Sequence, residues 1–304
     1  MSGINTNRTS ITLPAEVSSE IIALAQEESA VMRLSRRINL PGRGLTIPVI
    51  SGDPEANWVD ETNAKPVSNP TLTTKNMKGY TLAVIVPFSN QFRRDMAGLY
   101  AEIVRRLPGA LAKKFDATVF NGTAPGTGFD VLTSCAAQSI DTSSRGIYKA
   151  LVAAENGIST AGYAVNGYSM SPQARGVMLE AVDDVKRPIF INSVADGDIP
   201  KLLGSSVYYS RGIYGAGNAA SGTSGSSGYV AAKDDVLGFA GDWTKAMYGV
   251  VEGVDISISD QATLTISNQA VNLWERNMFA VRAEIEVGFV ATTAAFQKIT
   301  RTHV

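Results

Sequence analysis

Two segments rich in β-formers, LTIPVI at 45–50 and YTLAVIVPF at 80–88, bracket a polar run, ANWVDETNAKPVSN, at residues 56–69. The run holds one large aromatic, Trp58, beside Val59, is stiffened by Pro54 and Pro66, and is otherwise mostly small, polar or charged. Two strands carried out to such a tip cannot bury themselves. A hairpin alone in water is marginal and needs another surface to lie on. The chain is therefore expected to build an extended element whose partner surface is not its own core.

Composition narrows what kind of protein does this. The 304 residues carry a formal net charge of −1, with 44 % hydrophobic and 18 % charged residues. That suits one large or two ordinary domains with a sizeable core and argues against wholesale disorder. No apolar run reaches the ~18 residues of a membrane span. The start, MSGINTNRTSITLPAEVSSE, lacks the basic stretch and apolar block of a secretory signal.

Cys135 is the only cysteine, which excludes an intrachain disulfide and a multi-cysteine metal site. It reads as a small apolar residue. His303, the only histidine, lies next to the C-terminus. Triad and Cys–His catalysis need a rigidly held imidazole, and chain ends are usually poorly held. Carboxylate or lysine chemistry survives this test. Its best raw material is Asp60-Glu61 and Asp183-Asp184. Adjacent residues on a strand point to opposite faces, so neither pair is preset for acid–base work. No enzyme, cofactor or metal site is expected.

Along the chain, residues 1–13 read as an extended arm. The stretch LPAEVSSEIIALAQEESAVMRLSRRI, 13–38, then reads as a helix, with Pro14 in the first turn, Val17, Ile21, Leu24, Ala25, Val31 and Leu34 at helical spacing, and Arg33, Arg36 and Arg37 near its C-terminal end. The run 80–88 reads as a buried strand. A long helix follows over 89–120, with Ser89 as N-cap and an apolar stripe from Phe92 through Met96, Leu99, Ile103, Leu107, Leu111 and Phe115 to Val119. Pro108 should kink or split it. Its other face carries Arg93, Arg94, Arg105, Arg106, Lys113 and Lys114 against Asp95, Glu102 and Asp116. Such a face is either simply solvated or in contact with a polyanion.

The turn region at 123–133 includes the glycine-rich run APGTG. It lacks the lysine of a phosphate loop and follows a helix where such a loop follows a strand. From 143 to 235 helices and strands alternate: a helix over 143–160, a strand near 163–170, a helix starting at Ser171-Pro172 and a strand at 201–210. The Gly/Ser/Ala-rich 212–230 reads as a flexible exposed loop. Residues 236–304 return to strands. In the last, Phe279, Val281, Ala283, Ile285 and Val287 alternate with Arg282, Glu284 and Glu286, a half-buried strand with one charged face.

The order of these pieces resembles the major capsid proteins of tailed bacteriophages, the Hong Kong-97-like fold. The resemblance covers nearly the whole chain. It rests on LPAEVSSEIIALAQEESAVMRLSRRINLP, on ANWVDE with YTLAVIVPFSNQFRRD, and on WERNMFAVRAEIEVGFVATTAAFQKI, which ends near Phe296. None of these is a catalytic motif, and their order and spacing carry the match.

The resemblance implies an α+β fold divided into an N-terminal arm and helix (1–40), a two-stranded extension loop (41–88), a peripheral domain with a long spine helix (89–136), an axial α/β domain (137–235) and return strands (236–304). It implies a shell protein that forms pentamers and hexamers of an icosahedral head around double-stranded DNA. In such a shell the extension loop lies across a neighbouring copy, which answers whose surface the polar tip needs. Trp58, Val59, Glu61, Lys65 and Asn69 would make that contact. Arg33, Arg36, Arg37, Arg93, Arg94, Arg105 and Arg106 are candidates for sequence-independent phosphate contacts on the inner surface. Implied partners are the chain itself, packaged DNA, a portal, and separate scaffold or decoration proteins, with no membrane. The location is the virion, after synthesis in the bacterial host cytoplasm.

Some members of that family cross-link subunits through a lysine and an asparagine beside a buried glutamate. Lys65, Lys75 and Lys78 are available, but no matching asparagine and glutamate are evident. The alternative is a bacterial compartment of the encapsulin type, which shares the fold and encloses cargo enzymes. The arm and the long loop favour the phage head, and the particle's contents discriminate the two.

Overall fold

The computed structural model describes residues 29–50, 58–59, 65, 67, 72–90, 96–140, 146–183, 185–191, 199–221, 230–251, 255–266 and 269–303. In chain order, helix α1 (Ala30–Leu34) leads into β1 (Arg36–Asn39), β2 (Leu45–Ile50), β3 (Leu72–Met77) and β4 (Tyr80–Ser89). The long helix α2 (Met96–Asn121) precedes β5 (Ala136–Ile140), α3 (Gly146–Thr160), β6 (Gly167–Met170), α4 (Pro172–Glu180), β7 (Lys201–Leu202) and β8 (Ser205–Tyr209). Then come β9 (Asp235–Gly241), β10 (Ala246–Val250), β11 (Asp255–Ser259), β12 (Thr263–Ile266), β13 (Gln269–Asn272), β14 (Met278–Ala291) and β15 (Phe296–Arg301).

Two larger sheets organise the chain. In the first, β14 is the hub: β4 pairs along one edge, β10 and β11 pair in succession along the other, and β1 joins β10 in parallel. The second runs β5-β15-β9-β6-β8-β7. Two strands pass between the sheets in opposite directions, β9 into β10 and β14 into β15, each through a single 3-10 turn. Their corners are tied reciprocally: Asp242 N–H donates to the Ala295 carbonyl, and Thr292 N–H to that of Lys245. Trp243 fills the corner, its indole N–H bonded to the Gly167 carbonyl and its ring edge-on to Phe296.

Each sheet has its own apolar core. The buried face of β14 (Phe279, Val281, Ala283, Ile285, Val287, Phe289) meets Leu111, Phe115 and Val119 of α2. Phe115 packs edge-on against Phe129 and Phe289. At about 1.5–3 kcal/mol for each large apolar side chain fully buried, this contact helps hold the helix on the sheet. The second core packs Ile147, Leu151, Ala154 and Ile158 of α3 on Tyr168, Met170, Leu237 and Ile299.

Several expected elements form as read. The helix over 146–160 is present, and Ser171 caps α4 by accepting from Ala174 N–H, with Pro172 in the first turn. The alternation in 279–287 is the inward and outward pattern of β14.

Others differ. The expected arm and the expected helix up to residue 28 lie outside the described residues; beyond them Ala30–Leu34 is helical, and Arg36 and Arg37 lie in a strand held by pairing to Met247 and Tyr248, far away in sequence. Ser89 ends β4 opposite Met278, and residues 91–95, where the expected helix would begin, lie outside the described residues. Helix α2 runs unbroken across Pro108. The expected strand at 201–210 is a hairpin turning through Leu203 and Gly204, both at positive φ. The described arms of the Gly/Ser-rich segment run antiparallel, bridged at Gly215–Val236, Asn218–Lys233 and Ser221–Val230.

Candidate functional site

The two-stranded element exists, with a different second strand. LTIPVI pairs with LTTKNM, from Leu45 opposite Met77 to Ile50 opposite Leu72. YTLAVIVPFS instead becomes β4, which follows the turn at Lys78-Gly79 and pairs with β14. Nor is β4 buried: residues 80–85 alternate between half-buried and exposed, residues 86–89 are half-buried, and Ile85 is 48 % exposed. The segment LTTKNM carries no apolar alternation, so nothing in its pattern marks it as a strand.

Among the described residues, it is the root of this ribbon that packs on the rest of the subunit. Met77 is fully buried with Leu40 and Val290. Further out, Thr46, Pro48, Thr74 and Asn76 are exposed. At the tip Trp58 is 105 % exposed, Val67 86 % exposed, Lys65 exposed and Val59 half-buried. Trp58 is thus not core: a residue that gains most from burial stands wholly in solvent in the single chain. Glu61 and Asn69 lie outside the described residues. Of the three lysines, Lys75 is engaged, its Nζ 2.8 Å from Asp130 Oδ2 and 2.6 Å from the Ala291 carbonyl.

The segment leaving toward the N-terminus is fixed by a buried acid. Asp116 projects from α2 and is fully buried, not part of the helix's charged face. It accepts from the Ser29 hydroxyl (2.6 Å), Ala30 N–H (3.0 Å), Val31 N–H (3.3 Å) and the Ser210 hydroxyl (2.6 Å). One carboxylate joins the start of α1, helix α2 and the turn at 210–213. Burial pushes its pKa above the ordinary value, against the opposing pull of those four donors.

The described arginines lie on different elements. Arg33, on α1, places its guanidinium 4.9 Å over the Tyr208 ring. Arg36 and Arg37 are both exposed and sit consecutively on β1, so they point to opposite faces. Arg106 is exposed on α2, and Arg105 precedes it on the same helix. Arg93 and Arg94 lie outside the described residues.

Residues bearing on catalysis are occupied structurally. Cys135 is buried, and burial pushes its thiol up to about 12 despite nearby Lys298. Asp183 is spent on a turn, accepting from Val185 N–H, Arg187 N–H and Arg187 Nε. Its neighbour Asp184, like Asp60, lies outside the described residues. Among described residues no group of His, Cys, Asp and Glu is placed to hold a metal ion, and no helix is long and apolar enough to cross a membrane.

One residue is better held than its position suggested. His303 Nδ1 lies 2.8 Å from Asp235 Oδ1, and Arg301 lies 3.5 Å from Oδ2. Asp235 also accepts from Gly217 N–H (2.7 Å), at the base of the Gly/Ser-rich arms. The partner is 68 positions away, a distance no local pattern spans.

The profile of the phage capsid family matches residues 9–300. The probable major capsid protein of Mycobacterium phage L5 is 28 % identical over 305 residues, covering 95 % of this chain and 89 % of that protein. The major capsid protein of Staphylococcus phage 80alpha is 24 % identical, covering 95 % and 84 %. Among solved structures, a chain from Gordonia phage Cozz superposes with a TM-score of 0.69 at 21 % identity, covering 91 % of this chain and 87 % of that one. The capsid of a native GTA particle gives 0.64 at 15 % identity, covering 99 % and 95 %. A ribbon whose described tip residue Trp58 stands in solvent, a mixed α+β fold built on two larger sheets, and a family match across almost the whole length agree: the chain belongs to the phage capsid family, as a major capsid protein of the virion and not an enzyme.

Proposed function

We propose that this protein assembles as pentamers and hexamers into the icosahedral head of a tailed phage, with the Hong Kong-97-like division of labour, around double-stranded DNA. The carrying observation is Trp58, fully exposed on a ribbon whose buried contacts, among the described residues, lie at its root. A ribbon like this gains its missing contacts when a second copy receives it. Trp58, Val59, Glu61, Lys65 and Asn69 form the receiving contact in this reading. The α2–β14 layer is the peripheral body with its spine, and the sheet around α3 is the axial body that meets its copies at the symmetry axes. The exposed Arg33, Arg36, Arg37 and Arg106, with Arg93, Arg94 and Arg105, supply phosphate contacts that position DNA without reading sequence. A portal and a separate scaffold or decoration protein complete the head, and synthesis takes place in the host cytoplasm. The named relatives and neighbours are phage and GTA capsid proteins, which favours the head over a cargo compartment.

Deleting residues 62–70 tests this. The variant should unfold at the same temperature as the parent chain yet fail to close shells. A variant that loses its fold, while the loop stands in solvent in assembled parent particles, contradicts the assignment.

A further inference from the structure

The glycine-rich turn after α2, which is not a phosphate loop, meets the ribbon's root at three successive places. Lys78 N–H donates to the Gly128 carbonyl at 2.9 Å. The Tyr80 hydroxyl donates to the Thr127 carbonyl at 2.8 Å. Lys75 Nζ reaches Asp130 Oδ2, and the same oxygen accepts Ala291 N–H at 3.1 Å. One carboxylate therefore ties the ribbon strand β3 to the hub strand β14. The glycines make the approach possible. A Cβ on Gly126 would collide with the Tyr80 hydroxyl and ring, and Gly128 sits at φ +84° with Asn76 O only 3.0 Å from where its Cβ would lie. The ring of Phe129, between these contacts, is buried edge-on against Tyr80 and Phe115, which anchors the turn to α2 and the core.

We propose that the turn at 126–130 is a clasp that fixes the direction in which the two-stranded loop leaves the subunit, so that the loop is already aimed before a second copy receives it. This rests on reading the loop as the intersubunit element. All three ribbon contacts fall on residues 75–80, and the described tip has no such anchor. The ribbon behaves as a lever held at one end, and its direction is set at the clasp. Fixing that direction in advance lowers the ordering cost of association.

The test is hydrogen exchange on the full chain kept below the concentration at which it assembles. It compares peptides covering 45–50 and 72–77 with an internal reference at 146–160. Lys75→Met removes the bonds to Asp130 and Ala291 while leaving Asp130 free to hold Ala291. Tyr80→Phe removes a single hydroxyl and serves if the first variant folds poorly. Expected is about tenfold faster exchange in both ribbon strands for Lys75→Met and a smaller rise for Tyr80→Phe, with the reference unchanged. Unchanged ribbon exchange in both variants overturns the clasp. So does a rise that extends equally to 146–160, since the contacts would then belong to the stability of the whole body. Exchange is read before assembly, so this result is independent of whether the tip meets a neighbour, which the 62–70 deletion decides.

Discussion

Replacing Asp116 with alanine removes the acceptor shared by four donors inside a fully buried site. The two serine hydroxyls can turn elsewhere, and each serine oxygen keeps a second bond, to Met32 N–H and Gly212 N–H. The Ala30 and Val31 amides have no such freedom. A buried donor left unpaired costs ~1–3 kcal/mol, and relief from burying a charge offsets part of the total. A net loss of about 3–5 kcal/mol follows for Asp116→Ala. That is a large share of the ~5–15 kcal/mol that stabilises a typical fold. At roughly 2 °C per kcal/mol for a chain of this size, the unfolding midpoint should fall by about 6–10 °C. Asp116→Asn keeps the volume and one acceptor oxygen and should lose about half as much.

The pH dependence carries a definite sign. The Asp116 pKa is raised in the folded state by burial, above its ordinary 3.8. Its contribution is therefore complete below 3.8 and declines as pH rises through the folded value. The stability gap between the parent and Asp116→Asn should narrow from acid to neutral pH, measured by urea unfolding of the full chain. A cost below about 1 kcal/mol for Asp116→Ala, or a gap that widens with pH, would refute the reasoning.

Other outcomes follow from the same structure. Trp58→Ala should leave subunit stability within about 0.5 kcal/mol. It should raise the critical concentration for assembly roughly thirtyfold, equivalent to ~2 kcal/mol at a buried aromatic anchor; light scattering against concentration measures this. Asp235→Asn should show the opposite pH trend to Asp116→Asn. Burial would push Asp235 upward, but the Gly217 amide, His303 and Arg301 outweigh it and hold it below 3.8, so its contribution is present above that value and lost as acid titrates it. The gap to the parent in urea unfolding should therefore widen from acid to neutral pH. Neutralising Arg93, Arg94, Arg105 and Arg106 together should reduce nucleic-acid retention in purified particles and flatten its salt dependence, with particle yield little changed.

Much of the fold was legible because its signals are local. The period of α3, the Ser171-Pro172 cap and the alternation of β14 each report their own surroundings within a few residues. What stayed hidden depends on partners far away in sequence. Arg36 and Arg37 continue a helical pattern, yet pairing with β10 draws them into a strand, and this separates them on opposite faces. LTTKNM is a strand only because LTIPVI lies beside it. Asp116 sits among the charges of a helix that looked solvated there, and its burial depends on Ser29 and Ser210, each more than 80 positions away. The ribbon was half legible, since LTIPVI carries a strand pattern of its own and its partner LTTKNM carries none.

The most direct test is an electron-microscopy reconstruction of particles formed by the full chain, alone or co-expressed with the products of neighbouring genes. The account predicts a closed shell of fivefold and sixfold capsomers in which Trp58 is buried against an adjacent copy. A shell in which Trp58 packs on its own chain or remains in solvent, or a failure to assemble under both conditions, would contradict it.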